Sequence, residues 1–451
     1  AHLVQRRLNA TVDHLRPQRW NWTAVLQPLD RSLARQSEEP LPFWQVRSLR
    51  FFWLDGLFAA ISENFYLGFV ALFALAYGAS NGQIGWLTAM TNLLGALSLF
   101  PGARLVERSG RRKPIVVWSG GGLSRLPLLL FALLPLLFLP ANAAILLIIA
   151  FSGLRAFFSN LSNPAWTALA ADLVPDAIRG RYFSSRNMVM GVAALVVAPL
   201  AGRLITQGNA WADSTVFGYQ IIFLLAFLSG VVSTLSYQRI DEPPPTAAAA
   251  QPHQPGDTRR MLRQAPWFAG LIVSSFVWNM ALQIAGPFFN VYLVNELAAT
   301  TTTVGLLAAV SSLTALAGQR LFGRMMDRRS AFWVMQLSGF LIPLAPFAWM
   351  FVTAPWQVGL INTFAGFLWA GYNLASFSLL LTLTPDAQRP RAVALYQTAV
   401  FASAVLGPIL GGYLADAVSY RLIFGLSGAG RLLGMLLFVW LTVRPYRRQL
   451  P

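Results

Sequence analysis

An ionisable side chain inside a long apolar run is costly, so where one persists it is a first candidate for chemistry. Five such positions stand out: Asp55, Glu63, Arg125, Arg155 and Arg431. A carboxylate can take up and release a proton, and a guanidinium can hold a carboxylate or phosphate. Arg155, Ser159, Ser162 and Trp166 share one helical face. That face offers a cation, two hydroxyls and an aromatic ring, which suits an amphipathic organic ligand. Asn279 and Gln283 lie four apart, and Trp369, Tyr372 and Asn373 form a second polar and aromatic group. Each has a plainer reading: a Glu–Arg pair can simply tie two helices together, and lone amides in membrane helices often only bond their neighbours. Three such arginines face two such carboxylates. The surplus positive charge needs compensation, which tilts the expected solute toward an anion, although lipid headgroups could serve as well.

These residues depend on elements that cross a membrane. Hydrophobic residues make up 56% of the 451 and charged residues only 11%, against about 25% charged in soluble proteins. The pattern predicts an all-helical membrane protein with twelve spans, roughly 49–78, 83–105, 114–138, 142–173, 183–205, 217–238, 266–294, 301–322, 331–353, 356–383, 392–415 and 421–443. At about 1.5 Å per residue, Asp55 lies roughly 8 Å from the edge where span one begins. By the same measure Glu63 and Arg155 both lie near the midplane, roughly 18–20 Å deep. Asp55 then reads as structural, and Glu63 as the candidate proton-coupling group.

A net charge of +17 could suggest nucleic acid, but its placement argues otherwise. Most arginines fall in alternate loops and tails, at 104–113, 179–186, 239–263, 320–329, 389–391 and 444–448. That is the positive-inside pattern, and it puts both termini in the cytoplasm of a bacterial-type inner membrane. No cysteine is present, and the three histidines lie outside the apolar runs. No metal, cofactor or nucleophile–base constellation is expected, and no phosphate-binding Gly-rich motif occurs, so an enzyme is not expected. Residues 1–47 form an extension with an amphipathic stretch, suited to the membrane surface or to a protein partner. Residues 48–239 form one six-helix bundle, 240–264 a Pro/Ala-rich linker, 265–443 a second bundle and 444–451 a tail.

The halves repeat each other. Asn163, Pro175, Asp176, Ala177, Arg179, Arg181 and Gly202 recur 210 positions later, without a gap, as Asn373, Pro385, Asp386, Ala387, Arg389, Arg391 and Gly412. After span two stands a basic hairpin, Ala103-Arg104-Leu105-Val106-Glu107-Arg108-Ser109-Gly110-Arg111-Arg112, with a weaker copy at 320–329. These residues resemble the major facilitator superfamily of secondary transporters, with Ala103 and Glu107 standing where the family has Gly and Asp.

The resemblance implies twelve helices in two homologous bundles, alternating access, and spans one and four lining a central cavity. It makes spans three and twelve peripheral, so Arg125 and Arg431 read as structural. It also implies a conformational latch formed here by Arg104, Glu107, Arg108, Gly110, Arg111, Arg112, Arg179 and Arg181. The family's Gly-Pro-x-x-Gly-Gly motif is degraded in span five, at Ala198 to Gly202, and complete in span eleven, at Gly407 to Gly412. Drug antiport is therefore not indicated in its usual form. The expected function is proton-coupled transport of a small organic solute, and the alternative is a non-transporting scaffold or receptor subunit of the same fold.

Overall fold

The structure is a computed structural model, and it describes residues 42–242, 265–383 and 389–448. The expected amphipathic stretch before Pro40, most of the linker and the Pro385–Ala387 repeat lie outside the described residues. Every regular element among the described residues is helical.

Among the described residues, eleven helices are long and apolar enough to cross a membrane: α1 (Phe43–Ala76), α2 (Asn81–Ser109), α3 (Lys113–Leu137), α4 (Ala141–Leu173), α5 (Tyr182–Trp211), α6 (Phe217–Gln238), α7 (Pro266–Asn295), α8 (Thr301–Met326), α9 (Ala331–Trp349), α11 (Ala394–Ala417) and α12 (Tyr420–Arg447). Twelve spans are expected from the sequence. The remaining position is filled by α10 (Pro355–Leu383), a 29-residue helix packed on α8 and α9.

Several spans are interrupted where the sequence weakens the backbone ladder. α1 breaks after Tyr66, α7 breaks at Gly286-Pro287, and α4 breaks at Ser162 before Pro164. α3 contains a π-helical stretch, Val116–Leu123, through Gly120-Gly121-Gly122. Insertions of this kind often mark functional positions, and this one sits directly before Arg125. Helix starts are capped by hydroxyls: the Ser80 side chain accepts from the Gln83 backbone N–H, and Ser419 accepts from Leu422. Such caps satisfy donors the helix leaves open.

α1 to α6 pack chiefly among themselves, as do α7 to α12, and the halves meet along α2–α11 and α5–α8. At the end away from the Arg-rich loops, one continuous apolar core runs through both halves, from Phe73, Phe131 and Phe223 to Phe288, Tyr292 and Phe424. At the opposite end the core divides. Leu49, Phe52, Leu169 and Tyr182 belong to the first half, and Phe268, Phe322, Val334 and Phe438 to the second.

Polar contacts between the halves follow the same bias. Asp416 accepts from Asn81 Nδ2 and Gly82 N, both at 2.8 Å, at the start of α2. Tyr420 donates to Asn81 Oδ1 at 2.6 Å. Thr206 lies 3.0 Å from both Thr301 and Thr302. The deepest cross-half bond among the described residues runs from Asn92 Nδ2 to Ala404 O at 3.0 Å. The halves are thus joined at the end away from the basic loops and separately packed at the loop end.

Candidate functional site

A cavity of about 330 Å³ lies among the helices of the first half. Its wall includes Asp55 and Glu63 from α1, Arg125 from α3, Ser159, Ser162 and Trp166 from α4, and Arg186 from α5. The charged residues form two groups, one above the other along α1.

The deeper group is centred on Glu63. Arg155 Nη2 hydrogen-bonds Glu63 Oε1, and Arg125 Nη1 lies 3.8 Å from the same oxygen. Arg125 also donates to Ser62 Oγ at 3.2 Å, and Ser62 in turn donates to the Ala226 carbonyl. The Arg155 guanidinium lies 4.2 Å from the Tyr66 ring centroid, a cation–π contact. Glu63 retains 33% side-chain exposure where its two arginines keep about a tenth or less. The carboxylate therefore faces the cavity, Arg125 shares the cavity wall, and Arg155 stands behind it. The Nε atoms of Arg125 and Arg155 are buried without a hydrogen-bond partner among the described residues.

The shallower group is centred on Asp55. It accepts from Ser233 Oγ at 2.7 Å and from Arg186 Nη2 at 3.4 Å. Arg186 also donates to the Phe52 carbonyl at 3.2 Å. Its guanidinium stacks over Phe52 and Trp166, at 4.7 and 5.4 Å from their ring centroids. Both wall arginines lie over glycines. A Cβ at position 56 would stand 2.5 Å from Arg186 Nε, and one at 230 would stand 2.6 Å from Arg125 Cδ. Arg186 is held by Asp55 and Phe52, so a side chain at 56 would have to displace it.

The structure brings Glu63 and Arg155 together and aligns Ser159, Ser162 and Trp166 along the same cavity. Sequence reasoning treats Arg125 as structural and counts Arg186 with the basic loop before α5. Both line the cavity. Depth alone could not show which way Arg125 points, because the π-helical stretch before it resets the helical phase. Arg186 sits about a turn inside α5, and that position was the available signal.

The second-half candidates do not join this site. Trp369 and Asn373 line a separate hollow of about 320 Å³ with Gln319 of α8. Tyr372 is buried and stacks on Trp278, with ring centroids 4.6 Å apart. Asn279 Nδ2 bonds the Ser275 carbonyl of its own helix at 2.8 Å. Gln283 packs beside Gly407 of α11.

The basic hairpin is tied within the first half. Arg112 pairs with Asp172 at the end of α4, and its backbone N–H donates to Glu242 Oε1 at 2.7 Å. Arg179 donates to the Ala171 and Val174 carbonyls at the end of α4, where a cation suits the helix terminus. Gly110 ends α2 with φ of 62°, a conformation that favours glycine. Arg104 stacks on Phe100 at 4.2 Å from the ring centroid. Glu107, Arg108 and Arg111 are exposed, and Glu107 makes no side-chain hydrogen bond or ion pair among the described residues. The Arg181 side chain lies outside the described residues. The acidic partners of the hairpin are therefore Asp172 and Glu242, which its spacing does not reveal.

The family model described as "Major Facilitator Superfamily" matches residues 52–294 and 273–451. The chain is 22% identical over 391 residues to the "Multi-drug resistance efflux pump PmrA homolog" of Lactococcus lactis subsp. lactis (strain IL1403), covering 83% of this chain and 90% of the relative. It is 24% identical over 436 residues to the "Multidrug resistance protein MdtG" of Citrobacter koseri (strain ATCC BAA-895 / CDC 4225-83 / SGSC4696), covering 92% and 99%. In fold it is similar to a bacterial homolog of the human lysosomal transporter Spinster, solved inward-facing and unoccupied. There the TM-score is 0.66 at 15% identity, covering 90% of this chain and 96% of that one.

Proposed function

The chain belongs to the major facilitator superfamily, and from that membership and the charge layout of its first-half cavity we propose that it is a proton-coupled secondary transporter of a small amphipathic organic solute, with a preference for anions. The halves 48–239 and 265–443 rock against each other by alternating access, which exposes the first-half cavity to one side and then the other. The protein sits in a bacterial-type inner membrane with its basic loops and both termini in the cytoplasm, as the positive-inside rule directs. The divided core at the basic-loop end then opens the cavity to the cytoplasm.

One observation carries the reading. Three guanidinium groups, of Arg125, Arg155 and Arg186, are set against two carboxylates, Glu63 and Asp55; Arg125, Arg186 and both carboxylates line a space of solute size, and Arg155 stands behind Glu63. A solute anion supplies the missing negative charge beside Arg125. Ser159 and Ser162 offer hydrogen bonds, and Trp166 an aromatic face. Protonation of Glu63 frees Arg155 and Arg125 to hold the anion, and release of that proton restores the pair. Protonated Glu63 and a bound anion thus favour each other, so proton and solute cross together. The relatives named for multidrug resistance support small organic compounds as the class of solute.

The test is the melting temperature of the purified full chain against small organic anions, neutral sugars and cationic drugs, at acidic and alkaline pH. Anions are expected to raise the midpoint, and Arg155→Ala is expected to abolish the rise. Stabilisation by sugars or cations that survives Arg155→Ala would overturn the anion preference. A folded sample that answers to nothing would favour the scaffold subunit instead.

A further inference from the structure

A second uncompensated cation lies in the other half. Arg431 of α12 is 3% exposed, and its Nε and Nη2 have no hydrogen-bond partner among the described residues. No described carboxylate lies within ion-pair distance of it. A guanidinium keeps its proton at any physiological pH, so burial cannot neutralise it.

The surroundings are rich in donors. Trp278 Nε1 of α7, Ser338 Oγ of α9 and Ser427 Oγ of α12 are likewise buried with no hydrogen-bond partner among the described residues. Packing contacts connect these residues across α7, α9, α10 and α12. Ser427 lies one turn from Arg431, Trp278 packs on α12 at Gly434, and the Tyr372 ring stacks on Trp278 at 12° between planes. Ser338 Oγ lies 2.7 Å from where a Cβ on residue 371 would stand, beside Tyr372. An indole N–H and a guanidinium can only donate, and serine and tyrosine hydroxyls can turn to donate.

We infer that these donors form a buried binding site for a small inorganic monoanion of the chloride class, inside the second half and separate from the solute cavity. Neutral water would satisfy donors but leave the charge uncompensated, and an isolated charge in a medium of low dielectric is strongly disfavoured. Neither the first-half cavity nor the hollow beside Trp369 includes Arg431, Ser338 or Ser427 in its wall, so the site is separate from both. A bound monoanion would pin α7, α9, α10 and α12 together, so it acts as a structural ion of the second half.

The purified full chain is melted in sodium chloride and in sodium gluconate at equal ionic strength, and radioactive chloride uptake is followed by equilibrium dialysis. We expect a saturable rise in midpoint with chloride and bromide, absent in Arg431→Gln. In Trp278→Phe the half-saturating concentration should rise about tenfold, the loss of one hydrogen bond to an ion. Should Arg431→Gln fail to fold, Trp278→Phe and the dialysis on unaltered protein decide. Arg155→Ala should leave the chloride response intact, so this site stands or falls apart from the anion preference of the first half. Equal midpoints in the two salts without saturable chloride uptake would overturn it. So would a chloride response undiminished in both Arg431→Gln and Trp278→Phe.

Discussion

Removing one partner of a buried ion pair strands the other, and the penalty exceeds what the pair itself contributes. Arg186→Gln leaves the Asp55 carboxylate with Ser233 alone. It should cost about 3–5 kcal/mol, read as a lower midpoint of unfolding in mixed micelles. Arg186→Gln with Asp55→Asn should recover much of that loss, because no unpaired charge then remains. Glu63 answers differently, since its carboxylate faces the cavity. Glu63→Gln should abolish solute movement driven by a pH gradient while solute exchange at equal pH persists, measured in proteoliposomes. Loss of both, with the melting midpoint unchanged, would assign Glu63 to binding instead of coupling. Glu63 and Arg155 were legible as a pair because both charges sit inside spans at matching depth. Arg125 and Arg186 were not assigned to the site. One follows a local change of helical pitch, and the other is hidden beside a loop already crowded with arginine.

Asp416 joins two elements by lying against the first backbone N–H groups of α2, where the helix end favours a negative charge. Asp416→Ala should weaken the closed contact between α11 and α2 by about 1 kcal/mol, roughly a five-fold shift toward separation of those ends. The native chain lacks cysteine, so spin labels at Thr215→Cys and Val418→Cys report that separation without background. A longer distance component should appear in Asp416→Ala, and an unchanged distribution would show that the apolar core alone holds this end. The spans themselves were readable from apolar runs and alternating basic loops. The interruptions of α1 and α3 were not placed, because glycine and proline are common in membrane helices that stay straight. Tyr372 and Asn373 are adjacent in sequence yet diverge. About 100° separates successive residues, so one turns into the bundle against Trp278 and the other toward the hollow beside Gln319.

Across the whole molecule, one apolar core bridges the halves at one end and two cores serve them at the other. Rocking must therefore break the shared core and build a new contact at the basic-loop end. Thr206→Cys with Thr302→Cys, whose native hydroxyls lie 3.0 Å apart, should form a disulfide on oxidation. Transport should then stop, and return on reduction. Continued transport in the oxidised protein would mean that this end need not open. Among the described residues, and apart from Arg112 at the loop end, four buried guanidinium groups, of Arg125, Arg155, Arg186 and Arg431, are set against two carboxylates, Asp55 and Glu63. A moving charge inside a bilayer feels the transmembrane voltage, about 2.3 kcal/mol per elementary charge for each 100 mV crossed. An unloaded carrier with a net positive interior is drawn toward the negative face of an energised membrane, and each bound anion lessens that pull. Voltage thus becomes a second input to which way the empty protein rests.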